Sequence, residues 1–182
     1  MSRSDLPQLL IVGDIHGFPQ SGDALLADTP IKAHILTLAE LSDRPDLRGE
    51  ALHGHLVHHG GLQRAAQTLG KRDGRPYVGL GFSAGGTALW RAVSAGLALR
   101  ALICVSSTRL RLETAPLTIP TMTLWGDCDP NRPTEAWNGS VPTHSKTYAG
   151  AAHDFYRTAL AEPASPLARD IHAFLDGCCR RG

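Results

Sequence analysis

Short, unbroken apolar runs alternate with helix-like stretches along nearly the whole chain, and this alternation most constrains the fold. The strand-like runs cover residues 8–15, 31–39, 77–82, 101–107, 119–125 and 145–149. Apolar residues recur at helical spacing over residues 62–69, 87–99 and 167–175. Strands that are apolar throughout are usually buried on both faces, and their alternation with helices indicates a parallel sheet covered by helices. The sequence therefore predicts an α/β protein, with a mostly parallel sheet of about six strands and helices on both faces.

Length and composition narrow the class of protein further. The chain has 182 residues, which fits a single domain over residues 1–182. Its formal net charge of +1 argues against a surface that binds nucleic acid. No apolar run approaches the length of a membrane-spanning helix, and the first eight residues lack the apolar segment of a signal peptide. The four cysteines have no CxxC spacing, which favours reduced thiols, so we expect a cytoplasmic protein.

A glycine-flanked serine, Ser83, stands between a predicted strand and a predicted helix. The segment reads Gly-Phe-Ser-Ala-Gly from Gly81 to Gly85, and this G-x-S-x-G pattern is typical of a nucleophile elbow. The turn must be sharp to lift the serine hydroxyl clear of the sheet, and the two glycines remove the side chains that would collide there. A glycine-rich turn with an incidental serine is the structural alternative.

The same stretch also matches a dinucleotide-binding fingerprint from Gly79 to Ala84. That fingerprint requires an acidic residue at the end of the next strand, about 20 positions further on. The next predicted strand ends in Ser106 and Ser107 and carries no acid. A nucleotide cofactor is therefore disfavoured.

The segment Gly-Asp-Ile-His-Gly after the first strand is similar to a block of metal-dependent phosphoesterases. In such a site Asp14 and His16 would bind one metal ion. A two-metal centre needs several further carboxylates and histidines, and the remaining blocks of that family are missing from this chain. This interpretation remains as the rival to an acyl-transfer enzyme.

The turn at His16 and Gly17 has a second interpretation. An enzyme that transfers acyl groups needs two N–H donors for the oxyanion of its tetrahedral intermediate. The backbone N–H of Phe18 would supply one donor, and that of Ala84, which follows the nucleophile, would supply the other. The His16 ring is then a structural group that braces the turn.

Candidate partners for Ser83 follow two later strands. Asp127 and Asp129 come directly after the strand 119–125, and His153 follows the weak strand 145–149. The carboxyl ends of parallel strands share one edge of a sheet, so these side chains are expected near Ser83. A serine nucleophile needs a general base, and the base needs an orienting carboxylate. The order serine, aspartate, histidine is also the chain order of α/β hydrolases.

Several blocks together resemble the α/β-hydrolase superfamily. They read HGFPQSG, GFSAGG, LWGDCDP and GAAHDF, and the similarity extends over almost the whole chain. In the superfamily the catalytic acid is the aspartate three residues after the glycine of the third block, which favours Asp129 over Asp127. Only residues 108–118 join the fourth and fifth predicted strands, so the resemblance implies a minimal fold without a lid. The first two strands of the full fold have no room before Gln8.

The resemblance implies a small serine hydrolase similar to carboxylesterases and dienelactone hydrolases, although the latter use a cysteine where this chain has Ser83. Ser83, Asp129 and His153 would form a catalytic triad that cleaves a carboxylic ester or thioester through an acyl-enzyme intermediate. The partner is a small-molecule acyl substrate, and no metal or organic cofactor is implied. A catalytically inert binding protein with this fold is a further alternative.

Two features are not assigned a function. His53, His55, His58 and His59 lie in the irregular stretch 41–59, which we expect to be a surface loop that runs into a helix. His55 and His59 have the spacing of a helical metal pair but lack the accompanying motif. Cys128 stands beside the candidate acid without a base of its own, so we expect a buried or half-buried thiol.

Overall fold

The computed structural model describes residues 8–19, 22–27, 31–72 and 77–179. Within these residues, six strands form one sheet in the order β2-β1-β3-β4-β5-β6, and every neighbouring pair is parallel. The strands are β1 (Gln8–Val12), β2 (Lys32–Leu36), β3 (Tyr77–Phe82), β4 (Leu99–Val105), β5 (Thr121–Gly126) and β6 (His144–Tyr148). The predicted parallel sheet of six strands is therefore confirmed.

Helices cover both faces of the sheet. They are α1 (Asp23–Ala27), α2 (Leu38–Leu41), α3 (Gly49–His58), α4 (Gly61–Gly70), α5 (Ala84–Ser94), α6 (Glu135–Ser140), α7 (Tyr156–Ala159) and α8 (Pro166–Cys179). Successive side chains of a strand point to opposite faces, so β1 contributes to two cores. Leu10 and Val12 pack with α2 to α5, whereas Leu9 and Ile11 pack with α1, α7 and α8.

Burial differs between the central and the edge strands. Every residue of β3 is buried, whereas β2 and β6 at the two edges are partly exposed. Ile35 on β2 is 45% exposed. An apolar run therefore predicted a strand correctly here, but it overestimated the burial of the edge strand β2.

Some predicted boundaries are wrong by a few residues. The run 87–99 was expected to be helical throughout, but α5 begins at Ala84 and ends at Ser94. Gly96 then takes a left-handed φ of 108°, which turns the chain, and β4 begins at Leu99. The expected loop in the stretch 41–59 runs into α3 at Gly49.

The connection from β4 to β5 is short. Within it the structure has a single turn of 3-10 helix, Leu110–Leu112, and this agrees with the expected absence of an inserted lid. The expectations about missing early strands and about a signal peptide concern the segment before β1, and residues 1–7 lie outside the described residues. None of the described helices is both long and apolar enough to cross a lipid bilayer.

Candidate active site

Ser83 lies on a strained turn between β3 and α5. Its backbone has φ 49° and ψ −124°, a conformation that residues with a side chain rarely adopt. A Cβ at Gly81 would collide with the Cα of Gly86, and a Cβ at Gly85 would collide with the carbonyl oxygen of Gly13. The glycines of the G-x-S-x-G pattern are therefore required by close backbone contacts, as predicted from the sequence.

The structure brings Ser83, His153 and Asp129 into one chain of hydrogen bonds. Ser83 Oγ lies 3.1 Å from His153 Nε2, and His153 Nδ1 lies 2.7 Å from Asp129 Oδ2. A carboxylate can only accept, so Nδ1 of a neutral imidazole carries the hydrogen and Nε2 is left to accept the serine hydroxyl. The Asp129 side chain is fully buried, whereas that of His153 is 29% exposed. This arrangement can remove the hydroxyl proton of Ser83.

The turn after β5 separates the two candidate aspartates. Asp129 points inward, and its second oxygen, Oδ1, accepts a hydrogen bond of 2.8 Å from the Asn131 N–H. Asp127 is exposed and accepts from the thiol of Cys128 at 3.2 Å. Asp129 caps a turn rather than a helix, because α6 begins later with Thr134 as its N-cap.

The Cys128 thiol is exposed, so the expectation of a buried or half-buried thiol is wrong. The turn that directs Asp129 inward directs the two preceding residues outward. The hydrogen bond to Asp127 and the charge of that carboxylate raise the pKa of the Cys128 thiol. A raised pKa lowers the thiolate fraction, which makes this cysteine a poor nucleophile.

Thr108 is a site residue that was not predicted from the sequence. Its Oγ1 lies 2.9 Å from Ser83 Oγ, and the Thr87 hydroxyl donates a hydrogen bond of 2.5 Å to the Thr108 carbonyl. The serine oxygen is therefore held from two sides, by an imidazole and by a hydroxyl. The run of hydroxyl residues at the end of β4 was the available signal.

The candidate oxyanion donors are placed differently from each other. Ala84 lines the cavity that contains Ser83 and His153, whereas Phe18 does not. The Phe18 ring packs against the Phe82 ring, with 5.9 Å between ring centroids. Ile15 lines the cavity in its place, and its N–H forms no hydrogen bond with any described residue.

Asp14 braces the turn that carries Ile15. It is 3% exposed, and its Oδ2 accepts from the Tyr156 hydroxyl at 2.7 Å and from the Arg157 guanidinium. Its Oδ1 accepts from the His16 backbone N–H at 2.7 Å, while the His16 ring is exposed. The backbone of His16, rather than its ring, therefore takes part in bracing the turn.

The structure does not favour the metal-dependent phosphoesterase interpretation. Asp14, the candidate metal ligand, instead forms an ion pair with the side chain of Arg157. The described residues include no group of three or more His, Cys, Asp or Glu side chains that could hold a metal ion.

The histidines within residues 53–59 lie in different environments. His55 is buried, with Nε2 3.4 Å from the Ser42 carbonyl, and its ring stacks on that of His59. His53 lines the cavity that contains Ser83. His53 was not predicted near the site, because the direction of a helix face depends on packing.

The site cavity has a volume of about 310 Å³. A larger hollow of about 740 Å³ lies between β6 and α8, where Lys146 pairs with Asp170. The smaller cavity contains the hydrogen bond between Ser83 and His153. The smaller cavity is therefore the candidate active site.

Solved structures with the α/β-hydrolase fold resemble this chain over nearly its whole length. A Thermoplasma acidophilum protein described as a CIB-like hydrolase has a TM-score of 0.67 at 15% identity, with 96% of this chain and 88% of that chain covered. For the type II thioesterase BorB from the borrelidin biosynthetic cluster the TM-score is 0.62 at 17% identity, with 96% and 93% covered. For the dienelactone hydrolase-like promiscuous phosphotriesterase P91 from metagenomic libraries it is 0.58 at 15% identity, with 94% and 84% covered.

No protein-family model and no curated protein matched the sequence. Together with the parallel sheet and the turn at Ser83, the structural neighbours show that the chain has the α/β-hydrolase fold.

Proposed function

We propose that this protein is a serine hydrolase that cleaves a carboxylic ester or thioester of a small acyl group. The observation that carries the proposal is the hydrogen-bonded chain from Ser83 through His153 to the buried Asp129. The neighbour named as a type II thioesterase supports the same class of substrate.

In the proposed mechanism, Ser83 Oγ attacks the carbonyl carbon while His153 Nε2 takes its proton. The imidazolium returns that proton to the leaving alcohol or thiol, and an acyl-enzyme remains. A water molecule then attacks the acyl carbon and gives its proton to His153, which passes it to Ser83 Oγ as the acid leaves. Asp129 holds the imidazole tautomer and stabilises its charged form.

Two N–H groups would stabilise the oxyanion. Ala84 supplies one, as the sequence predicted. For the other we assign Ile15 in place of Phe18, because Ile15 lines the cavity and its N–H is unpaired among the described residues. Thr108 positions the serine oxygen before attack.

Hydrolysis of 4-nitrophenyl esters and of acyl N-acetylcysteamine thioesters tests the proposal. Ser83→Ala is expected to lower kcat by about 10⁴-fold or more, because the nucleophile is lost. Ser94→Ala, on the exposed end of the same helix, is the matched control and should retain wild-type turnover. Equal turnover by Ser83→Ala and wild type would contradict the assignment.

Covalent labelling separates an enzyme from an inert binding protein. A fluorophosphonate probe should add to Ser83 in the wild type and leave Ser83→Ala unmodified, as read by mass spectrometry of the peptides. Absence of an adduct on the wild-type protein would favour the inert alternative.

A further inference from the structure

The loop that follows β4 is strained at both ends and fastened to the candidate site. Ser106 has φ 45° and Arg109 has φ 69°, although neither is glycine. The loop is fastened through the Thr87 hydroxyl, which donates to the Thr108 carbonyl, and through Thr108 Oγ1, which contacts Ser83. Such strain persists where surrounding contacts over-determine the backbone, and it is concentrated at functional sites.

This loop directs Arg109 to the cavity that contains Ser83 and His153. The Arg109 side chain is half-buried, and it forms no hydrogen bond or ion pair with any described residue. The other cavity arginine, Arg157, is paired with Asp14. Among the described residues, Arg109 therefore supplies a guanidinium without an ion-pair partner beside the candidate nucleophile.

In the described part of the chain, the other arginines that are buried to a similar extent form ion pairs. Arg91 is paired with Glu113, and Arg132 is paired with Glu135. A half-buried guanidinium loses part of its hydration, and the loss is offset when an anion accepts its hydrogen bonds. Its planar fork suits the oxygens of a carboxylate or of a phosphate.

We propose that Arg109 binds an anionic group of the substrate, so that the preferred substrates are esters or thioesters that also carry a carboxylate or a phosphate. The cavity of about 310 Å³ limits them to small molecules. Asp154 is an exposed carboxylate at the same cavity, and it forms no ion pair with Arg109. The Arg109 guanidinium is therefore available to an anionic group of the substrate. This inference rests on the proposed hydrolase function.

Paired substrates test the inference. Mono-4-nitrophenyl adipate and 4-nitrophenyl 6-phosphooxyhexanoate carry the two anions, and 4-nitrophenyl methyl adipate is the neutral match. The wild type should show a kcat/KM for at least one anionic ester that is about tenfold or more above that for the neutral ester, as expected for a charge-assisted hydrogen bond. The anion that gives this preference identifies the substrate class.

Arg109→Met removes the charge at similar length and should reduce that ratio to near one. Arg109→Lys should retain part of it. Arg169→Met, on the exposed face of α8, is the matched control and should keep the wild-type ratio. A wild type without preference for either anion, or an unchanged ratio in Arg109→Met, would overturn the inference.

Binding separates a failure of this inference from a failure of the hydrolase proposal. In the Ser83→Ala background, calorimetry measures the dissociation constants of monomethyl adipate and methyl 6-phosphooxyhexanoate against that of dimethyl adipate. Arg109→Met should weaken binding of the preferred anion about tenfold without a matching change for the neutral diester. Unchanged binding of both anions would reject a role for Arg109 even if hydrolysis depends on Ser83.

Discussion

At the scale of single residues, Asp127 and Asp129 share their chemistry and differ in their surroundings. Asp129 is buried with one oxygen on His153 and the other on a backbone N–H. Asp127 is exposed, and the hydrogen bond described for its side chain is the one from the neighbouring thiol. The same side chain can therefore orient an imidazole at one position and not at the other.

We predict that Asp129→Asn lowers kcat by about 10⁴-fold, because the amide imposes the wrong imidazole tautomer on His153. Asp127→Asn, the matched control two residues away, should stay within about threefold of wild type, as exposed substitutions usually have small effects. Initial rates with a 4-nitrophenyl ester provide the measurement. A larger loss in Asp127→Asn would assign the acid to the other position and leave the hydrolase proposal standing.

At the scale of elements, the contact of α5 with β1 depends on glycine. The backbone of Gly85 lies against the carbonyls of Val12 and Gly13, with no space for a side chain. At Gly54 in α3, an added Cβ would have no atom outside its own helix within 4 Å, and the φ angle is not left-handed. Substitution by alanine should therefore change the stability of the protein in opposite directions at these two helical glycines.

Gly85→Ala is predicted to lower the free energy of unfolding by about 1–3 kcal/mol, because backbone atoms must move apart. Gly54→Ala should raise it by about 0.5–1 kcal/mol, because alanine restricts the unfolded chain and favours a helix. Urea unfolding followed by circular dichroism gives both values. A Gly85→Ala variant as stable as wild type would mean that β1 and α5 are not packed as described.

At the scale of the whole molecule, a buried ionisable group in each of the two cores makes the stability of the protein depend on pH in the alkaline range. Burial raises the pKa of the Cys104 thiol to about 12, against 9.0 for its ordinary value. Burial first, and then the Asp14 carboxylate, raise the pKa of the Tyr156 hydroxyl above its ordinary value. Both groups stay protonated in the folded protein at a pH where the unfolded chain ionises.

Stability should therefore be fully present below pH 9 and decline above it. The unfolded thiol loses its proton first, and this favours unfolding by about 1.4 kcal/mol per pH unit at most until the folded thiol also ionises near pH 12. Cys104→Ala should reduce the slope of unfolding free energy against pH between pH 9 and 11. Cys128→Ala, which removes an exposed thiol, should reduce it less. Identical slopes in wild type and Cys104→Ala would contradict the raised pKa.

The sequence by itself determined the parallel sheet, its helical cover and the turn at Ser83. These follow from local patterns, because apolar runs must be buried and a sharp turn requires glycine. Asp129 and His153 could be placed near Ser83 for a topological reason, since loops after parallel strands meet at one edge.

Only the tertiary structure decided which side chains face the cavity. Thr108, Ile15, His53 and Arg109 line it although none of them was predicted as a site residue, and Phe18 packs against Phe82 instead. The exposure of Cys128 beside the buried Asp129 has the same origin. A side chain's direction in a loop depends on a few backbone angles and on what packs opposite, and these contacts come from segments far apart in the chain.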